Sequence, residues 1–149
     1  MSPPARPEVA ASLRTSRLVH AAMVASLLVY AFLAHGILAP GGWRGTLDPG
    51  AFAVVGVLLY GVGAAVILVV LVLRSRWLSV DGGGGSGPAQ LQTRLIILLA
   101  LAESVGIDGL VLFLLGGNLR DFYVLWAPAL VLQLLLAPRQ EVWKAKRPG

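Results

Sequence analysis

The run "ALAESVGIDGLVLFLL", Ala100 to Leu115, sets two acids, Glu103 and Asp108, inside a segment otherwise apolar enough to cross a membrane, with no Lys or Arg beside them. A helical span needs about 20 mostly apolar residues, and this run extends one from Leu95. Three further runs have the same character, Leu18–Leu38, Phe52–Leu73 and the shorter Phe122–Ala137. The chain of 149 residues is 57% hydrophobic and 13% charged, with a mean hydropathy of +0.81. Such a composition belongs to a membrane protein rather than an ordinary soluble domain. The expected fold is all-α: an integral membrane protein of four transmembrane helices, arranged as two antiparallel hairpins.

The positive charges orient it. A net charge of +5 would point to nucleic acid in a soluble protein, but here the basic residues sit at the ends of the spans and no nucleic-acid partner is expected. Arg6, Arg14 and Arg17 precede the first span, Arg74, Arg76 and Arg94 flank the long loop, and Arg139, Lys144, Lys146 and Arg147 follow the fourth. Only Arg44 and Arg120 fall on the other side. The positive-inside rule then places residues 1–17, the loop 74–94 and the tail 138–149 in the cytoplasm, around a transmembrane domain of residues 18–137. The expected location is the inner (cytoplasmic) membrane of a bacterium. A cleavable signal peptide over Ala21–Ala34 is the alternative, disfavoured because apolar residues continue through Ile37 and Leu38.

Connections differ in kind. The segment His35–Gly50 is rich in turn formers and carries Trp43, which suits an outer-interface loop. "GGGGSG", Gly82–Gly87, is a flexible tether, whether native low-complexity sequence or an engineered linker. "GGNLRD" is short enough to make the third and fourth spans antiparallel neighbours. Pro128 lacks an N–H inside the fourth span and is expected to kink or loosen it. Tyr123 and Trp126 fit one interface belt and Trp143 the other.

At about 1.5 Å per residue from Leu95, Glu103 and Asp108 lie about 12 and 20 Å into a core about 30 Å thick. Five residues apart, they point to different faces and cannot share a proton within one helix. An ionised carboxylate at that depth costs a few kcal/mol with no basic partner in any span, so both are expected in the neutral form. Ala102, Gly106 and Gly109 form a small-residue stripe beside Glu103, where another backbone can approach. Gln133, toward the same end of the fourth span, is a candidate hydrogen-bond partner for Glu103. His20 and His35 lie near opposite ends of the first span and cannot share a haem or a metal.

The acid run resembles the second helix of the proteolipid, or c subunit, of rotary ATP synthases and ATPases, whose ion-carrying Glu lies in a pattern of the type A-L-A-E-A-x-x-I-Y-G-L-V. Ala100, Leu101, Ala102, Glu103, Ile107, Gly109, Leu110 and Val111 fall in register. The resemblance implies that Glu103 takes up a proton or Na⁺, on a helix running outward from a cytoplasmic loop. It covers this helix alone. No dense Gly-x-Gly-x-Gly helix precedes it, the loop lacks an Arg-Gln-Pro signature, Asp108 stands where Tyr is usual, and the acid is in the third span rather than the last.

Zero cysteines exclude disulfides and thiolate chemistry. The sequence carries no nucleotide loop, zinc motif, nucleophile elbow or redox motif, so neither an enzyme, a cofactor nor a metal site is expected. Two functions remain. One is a non-catalytic subunit that packs within a larger membrane complex, or as a homo-oligomer, through the Ala102, Gly106, Gly109 stripe of its third helix. The other is a proteolipid-like subunit that handles a proton or Na⁺ at Glu103, with Asp108 and Gln133 in secondary roles.

Overall fold

A computed structural model describes residues 7–77 and 88–138. Four α-helices account for most of them: α1 (Pro7–Ala31), α2 (Pro49–Trp77), α3 (Pro88–Gly116) and α4 (Leu119–Leu135). Among the described residues there is no strand. The Gly82–Gly87 tether, the basic tail and Trp143 lie outside the described residues.

Helix starts follow local chemistry. α1, α2 and α3 each begin at a proline, whose missing N–H falls where a helix has no use for one. At α2 the Asp48 carboxylate accepts from the backbone N–H groups of Gly50 (3.0 Å) and Ala51 (3.1 Å). Asn118 caps α4 by accepting from Arg120 N at 3.0 Å, with Asp121 in the first turn. The helices begin earlier than the apolar runs: α1 starts at Pro7 and not near Leu18, and α3 at Pro88 and not near Leu95. Their first turns are polar, which costs nothing where a helix projects beyond the hydrocarbon. α4 continues through Pro128, leaving the Val124 carbonyl without its usual helical donor. α1 runs on into a π-helical segment, Phe32–Leu38, that widens the turn around His35 and Gly36.

α3 is the central helix and packs on all three others. Its buried side chains enter three successive layers. Leu95, Leu98, Leu99 and Ala102 meet Val70 of α2 and Leu132 and Leu136, with Val19 and Met23 of α1 against them. Val105 and Leu112 meet Leu27, Leu125 and Ala129. Phe113 meets Ala34 and Phe122. The start of α1, the end of α2 and the start of α3 therefore share one end of the bundle. There Arg94 lies 5.9 Å over the Trp77 ring, and Arg14, Arg17, Arg74 and Arg76 are close in sequence. We call this the basic end.

The buried residues of α2 form a narrow seam, Gly56, Gly63 and Val70, repeating every seven residues, with Phe52, Leu59, Ile67 and Leu73 partly buried beside it. The rest of it is open: Val54, Val57, Leu58, Val62 and Leu68 are all more than half exposed. Apolar surface on this scale, with the backbone bonded inside the helices, is what a bilayer covers. Three helical stretches are long and apolar enough to span one, Ala10–Leu38, Pro49–Trp77 and Ala89–Gly116. The 17 residues of α4 lie alongside α3.

The α3–α4 turn is the most constrained part of the chain. Gly117 adopts φ +73° and donates to Phe113 O at 2.7 Å, closing α3 in a left-handed cap. A Cβ there would collide with the Arg44 carbonyl. The Leu115 carbonyl, left free by the helix end, accepts from Thr46 (2.9 Å) and Leu47 (3.0 Å), and Trp43 Nε1 donates to Leu114 O at 3.1 Å. The Trp43–Leu47 loop thus serves as the C-cap of α3.

Candidate intramembrane carboxylate site

Glu103 is half-buried where α3 meets α1, and two α1 hydroxyls reach it. Tyr30 OH lies 3.1 Å from Oε1, and Ser26 Oγ is in close hydrogen-bond contact with the same oxygen. Ser26 and Tyr30 are four residues apart, one turn of helix, so both fall on the face of α1 that meets α3. Leu27, beside them, fills the gap left by Gly106, where any Cβ would clash with its side chain. The close approach of α1 that brings the hydroxyls to the carboxyl therefore depends on that glycine.

The Ser26 hydroxyl carries one hydrogen and two lone pairs, yet Oγ is also 2.8 Å from the Met23 carbonyl of its own helix. With Glu103 ionised, Ser26 and Tyr30 can both donate to Oε1. With Glu103 protonated, the carboxyl can donate to Ser26, which turns its hydrogen to Met23 O, while Tyr30 still donates. The same three side chains keep Oε1 hydrogen-bonded in both protonation states without moving a heavy atom.

The stripe expected to receive another protein is occupied by the chain itself. A Cβ on Gly109 would lie 2.8 Å from Phe122 O and 3.3 Å from Leu125 Cβ, both of α4. Gly106 faces Leu27 and the Ala129 methyl, and Ala102 is buried in the layer with Leu132 and Leu136. Small residues on α3 let α1 and α4 approach, so this face is not open to a further subunit.

Gln133 is close in level but not in direction. Its Nε2 donates to Leu99 O at 3.0 Å rather than to Glu103, because that side of α4 faces the α3 backbone one turn nearer the basic end. Its own backbone carbonyl is 2.9 Å from His20 Nε2, which draws the histidine into the α1–α4 contact. The side-chain oxygen of Gln133 is buried and has no hydrogen-bond partner among the described residues. Asp108 is half-buried on another face of α3, and Glu103 and Asp108 do not share a site. Among the described residues no three His, Cys, Asp or Glu side chains cluster as metal ligands.

Interhelical polar contacts carry little signal in the sequence: Ser26 and Tyr30 meet Glu103, with only their i, i+4 spacing in "SLLVY" to mark a polar stripe on an apolar helix. Tyr60 of α2 donates its hydroxyl to Asp121 at 2.6 Å and ties α2 to the start of α4. Trp126 Nε1 also donates into α1, to Leu27 O at 2.8 Å.

Comparison with protein families, with curated proteins and with solved structures finds no match.

Proposed function

We propose that this chain is a small, non-enzymatic subunit of a membrane assembly that acts by taking up and releasing a proton at Glu103. The observation that carries the reading is the triad of Glu103, Ser26 and Tyr30, whose hydroxyls can keep Oε1 hydrogen-bonded whether the carboxyl is protonated or ionised. A carboxyl serving only to hold two helices together needs one such arrangement. A carrier needs two, because otherwise one state is left with an unpaired polar group in an apolar medium. In this reading α4 is the fourth span and both termini lie in the cytoplasm with the basic end. The resemblance of the Glu103 run to the proteolipid helix is consistent with it.

A second reading, a purely structural subunit, has its own support. With the α3 stripe filled internally, the surface open to a neighbour is on α2, where Gly61 has empty space around the position of a Cβ, and Val57, Ala64, Ala65 and Leu68 flank it, exposed. Both readings are separated by carbodiimide labelling of membrane-inserted protein, read by mass spectrometry. The carrier reading expects modification at Glu103, slowed at high pH or by Na⁺ if that ion competes. Unmodified Glu103, together with full function of Glu103→Gln in the native membrane, would leave the structural subunit.

A further inference from the structure

Two buried oxygens in the described structure have no hydrogen-bond partner, Ser16 Oγ and Gln133 Oε1. Both residues are fully buried. Orphaned groups of this kind are few in folded proteins, and internal water is what satisfies most of them. Their positions are not scattered. Ser16, His20, Met23, Ser26 and Tyr30 recur at three- and four-residue spacing along α1, and Met23 packs against the buried cluster that α3 and α4 share with Val70. Ser16 is the stripe's end nearest the basic end of the bundle. His20, one turn on, hydrogen-bonds Gln133 O. The Gln133 amide shares the Leu99 carbonyl with the helical N–H of Glu103. Ser26 and Tyr30 then close on Glu103 itself. On the opposite face of α1, Leu18, Ala21, Ala22, Ala25 and Leu28 are exposed and apolar.

We propose that a file of internal water enters the seam between α1, α3 and α4 at Ser16, passes His20 and the Gln133 side-chain oxygen, and reaches Glu103. The basic end is thereby the side from which this carboxyl exchanges its proton. The inference rests on the reading of Glu103 as a proton site. Each orphan oxygen supplies an acceptor, and His20, whose Nε2 donates to the Gln133 carbonyl, adds its other ring nitrogen as a further polar group on the same stripe. Met23, the apolar side chain between His20 and Ser26, is unbranched and adaptable enough to admit water past it.

The chain has no cysteine, so single thiols report water directly. Full-length Ser16→Cys, Met23→Cys and Ser26→Cys proteins, reconstituted in vesicles, are treated with 2-aminoethyl methanethiosulfonate on the basic-end side, beside Ala25→Cys and Leu28→Cys on the lipid face. Reaction requires the thiolate, which forms in water and not in apolar surroundings, so the seam positions should react at least about tenfold faster than the lipid-facing ones. Adding His20→Trp should slow Ser26→Cys and spare Ser16→Cys. In the unsubstituted chain, water-edited solid-state NMR should transfer magnetisation to the Gln133 amide ahead of Val57. Seam thiols no faster than Ala25→Cys, or a Gln133 amide that water does not reach, overturn the path. A reactive seam around a Glu103 that carbodiimide never modifies overturns proton exchange at Glu103 but leaves the hydration.

Discussion

Tyr30 and Glu103, far apart in sequence, meet across the α1–α3 interface with 3.1 Å between the phenol oxygen and Oε1, and Ser26 touches the same oxygen. Interhelical hydrogen bonds in membranes contribute about 0.6 kcal/mol on average. Tyr30→Phe should therefore lower stability by about that amount in a denaturant titration of the detergent-solubilised protein, with the helix content unchanged. A loss of several kcal/mol would mean that the triad holds the fold together rather than serving a proton.

At Gly106 the Leu27 side chain of α1 fills the space a Cβ on α3 would take. Gly106→Val must displace Leu27, and overpacking of this kind costs about 1–3 kcal/mol, whereas Gly61→Val on the open face of α2 adds a side chain to empty space. Unfolding measurements should separate the two clearly, and equal effects would contradict the internal occupation of the stripe.

Gly117 and Gly42 both adopt positive φ, at +73° and +74°, but only Gly117 is crowded by neighbouring backbone. Gly42→Ala should cost about 1 kcal/mol from backbone strain alone. Gly117→Ala should cost distinctly more, because the Arg44–Leu47 loop must also leave the end of α3. Loss of Trp43 fluorescence anisotropy in Gly117→Ala is the local readout.

Gln133→Leu removes a donor whose acceptor, the Leu99 carbonyl, is already served by its own helix, and an acceptor with no protein partner. Replacing such a group by an apolar one of similar size is close to neutral. The variant should unfold within about 1 kcal/mol of the parent while slowing reagent access to Ser26→Cys. A large loss of stability would show that the buried amide is structural.

Much of the architecture was legible in the sequence because apolar runs and turn residues are local. Leu95–Leu115 and Phe52–Leu73 read directly as helices, and "GGNLRD" as the tight turn that Gly117 and Asn118 make. Span bounds drawn from apolar runs do not give the helix starts, because polar first turns carry no apolar signal; Pro7, Pro49 and Pro88 mark those starts. Which helix filled the α3 stripe was not legible: Ala102, Gly106 and Gly109 show that a backbone comes close but not whose. Glu103 appeared alone because its partners lie on α1, a contact that spacing within one helix cannot reveal. Gln133 failed as its partner for a related reason, since level in the membrane is set by counting residues but direction is set by how α4 packs.

Infrared difference spectroscopy on the full-length protein in lipid, titrated across pH, reads the protonated carboxyl band of Glu103 itself. The proton reading predicts a band that disappears reversibly as pH rises, is missing in Glu103→Gln, and changes frequency in Ser26→Ala and Tyr30→Phe while persisting in Asp108→Asn. A band that survives Glu103→Gln, or one that does not respond to pH, would contradict it.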